Sequence, residues 1–189
     1  MNRGKLALLL GMLCGDGCLT TRTRKEGYKT YAIEFFNTDL DLVKKFQQLF
    51  SEIFEVDGKI NQEIKNNRKI LYVFRKYSKE IFEKVSDMGF PKGKKKFILK
   101  IPKVILRGNR KEKLLFLKGL TITDGSIKKG GQIVFHMSSK LFLEDVSDLI
   151  HELFGLRKNL REYIQKEKYF SYQLLLNKEP SQEVLKFQL

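Results

Sequence analysis

Hydrophobic positions along the chain follow two registers, a helical one and an alternating one, that trade places in a fixed order. Leu6 to Cys14 is apolar throughout and stops at Gly15-Asp16-Gly17, so it predicts a buried helix closed by Asp-Gly. Cys18 to Arg24 is β-prone, and Lys25-Glu26-Gly27 predicts a turn. In the strand expected over Thr30 to Phe36, Tyr31, Ile33 and Phe35 share one face, and Thr30, Ala32 and Glu34 share the other. Thr38 with Asp41 resembles a capping box. Leu40, Val43, Phe46, Leu49 and Ile53 then recur at helical spacing, and Asp57-Gly58 is expected to end that helix. A hairpin follows, from Lys59 to Lys65 and from Lys69 to Lys76 about a turn at Asn66-Asn67. Ser78 opens a short helix holding Ile81, Phe82, Val85 and Met88.

The second half repeats this order. A helix from about Lys113 runs into Asp124-Gly125, and a hairpin about Gly130-Gly131 joins Ser126 to Lys129 with Gln132 to Ser138. Leu143, Val146, Ile150 and Leu153 mark an amphipathic helix from Lys140 to Phe154, ended by Gly155. Leu160 to Lys166 and Tyr169 to Leu176 form another hairpin, and Pro180 starts a final helix. The pattern predicts an α/β (α+β) chain that duplicates an αββαββα unit. Its lobes are expected at residues 1–100 and 113–189, with residues 101–112 as linker.

Two nonamers organise the duplication, Leu9 to Gly17 and Leu117 to Gly125. Each carries small residues four apart, Gly11 with Gly15 and Gly119 with Thr123, which share one helical face and admit another backbone. Gly17 and Gly125 are expected to stop their helices in the left-handed conformation. Asp16 and Asp124 oppose the macrodipole at a helix C-terminus, where cations are favoured. If the helices pack along their small faces, the acids meet at the seam and call for a divalent cation. Gly15 and Thr123, which precede the acids, join that candidate metal site.

Composition narrows the partner. The 189 residues carry a net charge of +15 and are 42% hydrophobic, which excludes a disordered tail and points to a polyanion. Nucleic acid and an anionic membrane surface both fit that charge. Cys14 and Cys18 are too few for a zinc set and suggest a reducing compartment. Arg3 and Lys5 ahead of Leu6 to Cys14 mimic a signal peptide, but no small-x-small cleavage site follows. No apolar run approaches the roughly 18 residues of a membrane span. A soluble intracellular protein is expected, in cytoplasm and nucleoid or in an organelle matrix, with no membrane partner.

Between the halves lies Gly89-Phe90-Pro91-Lys92-Gly93-Lys94-Lys95-Lys96, the most basic local run. With this segment, the two nonamers and the element order, the chain resembles the LAGLIDADG family of homing endonucleases over nearly its whole length. It is similar to the two-copy, monomeric members. The signature's often acidic sixth position is Cys14 in one copy and Ile122 in the other.

The resemblance implies phosphodiester hydrolysis with magnesium or manganese shared between Asp16 and Asp124, and calcium binding without cleavage. It implies a basic residue of the joining loop near the scissile phosphate, Lys94 by position and Lys92 next. It also implies a polar residue at the end of the second strand, Asn37 in the first lobe and Ser138 in the second. Each lobe would lay one face of a four-stranded sheet in the major groove of double-stranded DNA. Period-2 alternation then offers Arg22, Arg24, Thr30, Glu34, Asn61, Glu63 and Arg75 in the first lobe. In the second it offers Lys128, Gln132, His136, Arg161, Gln165 and Gln173. Ile33, Phe35, Ile60, Ile70, Phe135, Ile164, Phe170 and Leu174 would pack on the helices.

The expected activity is cleavage of a long, asymmetric DNA site by a monomer. The initial Met and the lack of splicing-domain residues suggest a free-standing intron-encoded form. The rival readings are a silent DNA-binding relative, an intron RNA maturase, or an unrelated basic RNA-binding protein that leaves the paired Asp-Gly helices unexplained.

Overall fold

The computed structural model describes residues 2–65, 69–156, 160–165 and 169–187. In the first lobe, α1 (Arg3–Asp16) leads into β1 (Gly17–Thr23) and β2 (Lys29–Asn37). These are followed by α2 (Leu40–Phe54), β3 (Lys59–Lys65), β4 (Lys69–Tyr77) and α3 (Lys79–Asp87). A short α4 (Lys103–Leu106) intervenes. The second lobe repeats the order as α5 (Arg110–Asp124), β5 (Gly125–Ile127), β6 (Ile133–Met137), α6 (Lys140–Phe154), β7 (Leu160–Gln165), β8 (Tyr169–Leu176) and α7 (Lys178–Lys186). Each lobe builds one antiparallel sheet, ordered β1-β2-β4-β3 and β5-β6-β8-β7. The duplicated mixed α/β architecture is the one the pattern predicts.

The helices α1 and α5 cross at their glycines. A Cβ on Gly11 would lie 2.1 Å from the Phe116 carbonyl oxygen, and one on Gly119 would lie 2.2 Å from that of Leu8. Leu6 to Cys14 is buried on every side, since α1 is wedged between its own sheet and the other lobe. In the first lobe α2 lays Val43, Phe46, Phe50 and Ile53 on the sheet, and the rings of Phe46 and Phe35 stack at 4.2 Å. In the second lobe α6 does the same with Phe142, Leu143 and Val146 against a sheet that buries Phe135 and Leu174.

Several local expectations change. Gly17 and Gly125 are extended, with φ of −102° and −95°, so neither is a left-handed stop. Their requirement is space: a Cβ there would come within 2.8 Å of Leu13 Cα or 2.7 Å of Thr121 Cα. Each helix therefore turns directly into a strand. Asp39, not Thr38, caps α2, because Asn37 Oδ1 accepts the Asp39 amide and moves the helix start along. The helix ends at Phe54, where Glu55 takes the left-handed conformation, before Asp57-Gly58. Ile70, one residue into β4 at the end of its pairing with β3, is 46% exposed, whereas Ile33, Phe35, Phe135 and Leu174 are buried and Ile60 packs beside them. The turn at Asn66-Asn67 lies outside the described residues, as do the side chains of Ile164 and Phe170.

Candidate metal centre and nucleic-acid face

Asp16 ends α1 and Asp124 ends α5, so the crossing that the glycines permit carries both carboxyls to one seam. The fit is close: a Cβ on Gly15 would lie 3.0 Å from Asp124 Oδ2. Burial pushes the Asp16 carboxyl above its ordinary range, against the Asn37 hydrogen bond and the Lys95 charge, which lower it. Asp124 is pushed up to about 6, by burial first and by the charge of Asp16 second, with Lys95 opposing. Asn37 sits at the end of β2 and its Nδ2 donates to Asp16 Oδ2 at 2.7 Å.

The lysine at this seam is Lys95. Its ammonium donates to the carbonyls of Leu13 at 2.9 Å and Cys14 at 2.7 Å, and also to that of Gly15. It therefore caps the C-terminus of α1, the negative end of the dipole. Burial lowers its pKa, while Cys14, Asp124, Asp16 and Cys18 pull it back up. Lys94 is exposed to solvent, and Lys92 pairs with Glu83 at 2.6 Å while its ammonium lies over the Phe82 ring. The register of the lysine run is set from outside it. Gly93 N donates to Leu19 O at 2.7 Å, while Phe90 and Leu99 are buried on either side, leaving Lys95 to turn inward. Nothing local distinguishes Lys95 from its neighbours, so the sequence pattern passes over it.

Of the other metal-site candidates, Gly15 lends its carbonyl to Lys95 and keeps a second lone pair. The Thr123 hydroxyl turns back on its own helix, toward the Gly119 and Leu120 carbonyls. Among the described residues no group of three or more His, Cys, Asp and Glu side chains converges. Two carboxyls still suit magnesium, which holds several waters and takes one or two carboxylates plus phosphate oxygens.

Beyond the seam, the sheet faces opposite the helices carry the polar positions. In the first lobe Cys18, Glu34, Arg75 and Lys59 form one cross-strand row. Glu34 is only 1% exposed, because Thr20 donates to it at 2.8 Å and the guanidinium groups of Arg22 and Arg75 close over it. Glu63 reaches Arg75 at 3.4 Å, and the Thr30 hydroxyl donates to the Arg22 carbonyl. Asn61 is exposed on β3, and Arg24 lies past the end of β1 over the Tyr28 ring. In the second lobe His136, Gln173 and Arg161 form a row. Lys128 and Gln132 flank the turn beside β6, joined by a backbone hydrogen bond. Ser138 is exposed one residue past Met137, so it is Met137 that stands opposite the Asn37 position. Gln165 ends β7, and its side chain is not described.

A family model for a LAGLIDADG-like domain matches residues 3–87 and again residues 111–187, one match per lobe. The chain belongs to the LAGLIDADG family. This LAGLIDADG chain is 30% identical over 96% of its length to a component of the A-type ATP synthase of Pyrococcus abyssi, spanning 16% of that protein. It is 36% identical over 86% of its length to the replication factor C small subunit of Methanocaldococcus jannaschii, spanning 8% of it. Among solved structures, its fold is similar to the homing endonuclease I-DmoI in complex with DNA and Mn, with a TM-score of 0.73 at 22% identity and 99% of each chain covered. It is also similar to I-WcaI bound to its DNA recognition sequence, with a TM-score of 0.63 at 12% identity, 97% of this chain and 80% of that one. No helix among the described residues is long and apolar enough to cross a membrane.

Proposed function

We propose that this LAGLIDADG chain is a monomeric, metal-dependent endonuclease that cuts double-stranded DNA at a long asymmetric site. The observation that carries this reading is the meeting of Asp16 and Asp124, one from each lobe, at a seam that also holds the half-buried Lys95. Asp16 and Asp124 would hold magnesium or manganese, which when bound activates water and stabilises the oxygens of the displaced phosphodiester. The I-DmoI structures are described with Mn, Ca and Mg, which supports a divalent ion here. Lys95 supplies fixed positive charge between the carboxyls and the phosphate, and Asn37 holds the Asp16 carboxylate in one orientation. A charge of +15 suits the phosphate backbone, and the major groove admits β-ribbons such as the paired strands of each sheet. Because both acids come from one chain, no second copy is needed.

The test begins with DNA sites selected from a randomised library. Asp16→Asn and Asp124→Asn should each lose double-strand cleavage in magnesium while keeping duplex binding in calcium. Wild-type cutting of both strands by either variant would overturn the reading. Loss of binding as well would place the acids in the fold rather than in the chemistry.

A further inference from the structure

A carboxylate buried on a surface suited to a polyanion is unfavourable unless it is paired and hydrogen-bonded, and Glu34 is both. Glu34 sits on the polar sheet face, 1% exposed, with Oε1 shared by Arg22 and Arg75 and Oε2 taken by Thr20. Arg75 is itself mostly covered and also reaches Glu63. Arg22 differs: its side chain is 59% exposed and spends only Nη2 on Glu34, at 3.3 Å. The remaining guanidinium donors face outward from a side chain anchored at one corner. A guanidinium held in that way loses little further entropy on binding, and its free edge fits the two acceptors of guanine in the major groove.

The second lobe lacks the device. The pairs Gly17↔Phe35 and Gly125↔Phe135 fix the correspondence between the sheets. By that register Glu34 matches Val134 and Arg75 matches Leu175, paired with each other just as Glu34 and Arg75 are. Cys18 matches Ser126, and the place of Arg22 falls to Gly130 in the turn. The charged central pair of one lobe is therefore apolar in the other. The next row inward reverses the contrast, with Phe36 and Val73 in the first lobe against His136 and Gln173 in the second.

We propose that Glu34 is a positioning residue that aims Arg22 at a guanine, so that the first-lobe half of the target requires a G·C pair where the second-lobe half, facing Val134 and Leu175, does not. The proposal rests on the endonuclease reading and adds a specificity element to it. Glu34 touches no base. It orients Arg22 and offsets the charge of Arg75, so that this row reads sequence instead of merely attracting phosphate.

The experiment is binding selection in calcium from a duplex library randomised across both half-sites, read by sequencing. The wild type should enrich guanine at one position of one half only. Arg22→Lys keeps the charge and leaves the Glu34–Arg75 pair untouched. It should lower enrichment at that position about tenfold with other positions and the salt dependence unchanged. Glu34→Gln should reduce the same preference while overall duplex affinity holds or rises, with folding checked by thermal melting. Equal guanine enrichment at the matching positions of both halves, or an unchanged profile in Arg22→Lys, would overturn the proposal. A library that returns no preferred sequence anywhere would instead remove the site-specific endonuclease reading on which it stands.

Discussion

Asn37 Nδ2 donates to Asp16 Oδ2 at 2.7 Å, and the strand position that matches Asn37 in the second lobe holds Met137, which has no hydrogen to donate. The two acids are thus served unequally, and among the described residues Lys95 hydrogen-bonds to the end of α1 and not to α5. The half built on Asp16 should cut first. A nicked plasmid should accumulate transiently, with the nick in one defined strand. Asn37→Met, which makes the halves alike, should slow that first cut by about tenfold, the worth of one hydrogen bond to a charged group. Equal nicking of both strands by the wild type would mean that the asymmetry has no kinetic consequence.

The helix crossing makes a prediction independent of DNA. Gly11→Ala and Gly119→Ala each drive a methyl into a carbonyl of the facing helix, at 2.1 and 2.2 Å in the unrelaxed geometry. Backbone cannot yield as a flexible side chain does, so each should destabilise the fold by about 1–3 kcal/mol. Chemical denaturation reads this directly, and unchanged midpoints for both variants would show that the helices do not meet there.

What was legible in the sequence follows from how locally each feature is determined. The pairing of Gly11 with Gly119 needs only the helical period and the repeat, so it can be read from spacing. The duplicated order of helices and strands is legible for the same reason. Strand alternation also places Glu34 on the face opposite Phe35. Its burial depends on Arg75, 41 residues away, and no local pattern carries that information. Lys95 is hidden among like residues because Leu19, Phe90 and Leu99 decide which lysine turns inward. Thr38 and Asp39 are both good helix caps, and the choice falls to Asp39 through the side chain of Asn37. Gly17 and Gly125 are needed for space against Leu13 and Thr121, a demand that resembles a left-handed stop in sequence but has a different cause.

The raised Asp124 carboxyl predicts a pH dependence of sign opposite to that of an ordinary ion-paired aspartate. Its folded pKa of about 6 exceeds the ordinary value of 3.8, so the folded state holds the proton more tightly. The resulting penalty is absent well below pH 4, grows as pH rises between the two values, and is complete above pH 6. In metal-free buffer, Asp124→Asn should therefore raise stability at pH 8 by about 1–3 kcal/mol and leave it nearly unchanged near pH 3.5. Urea denaturation at the two pH values checks this. An equal effect at both would mean that the seam does not hold Asp124 above its ordinary range.

Lys95 and Lys94 give the sharpest contrast between neighbouring residues. Lys95→Met keeps much of the side-chain volume but removes the ammonium from the Leu13, Cys14 and Gly15 carbonyls and its charge from the neighbourhood of the two acids. Its loss should cost stability through the uncapped helix end and should raise the carboxyl pKa values further, since Lys95 lowers both. Cleavage should fall by at least about a hundredfold, the scale of a lost electrostatic stabiliser. The pH at which residual cleavage fails should also move upward, because the acids lose protons less readily. Lys94→Met, at an exposed position one residue earlier, should leave the pH profile in place and only make the log–log salt dependence of DNA binding shallower by about one. Cleavage assays from pH 5 to 9 beside binding assays at several salt concentrations separate the two roles. A Lys94→Met variant that loses cleavage while Lys95→Met retains it would reverse the assignment and give the catalytic role to the lysine that spacing alone favours.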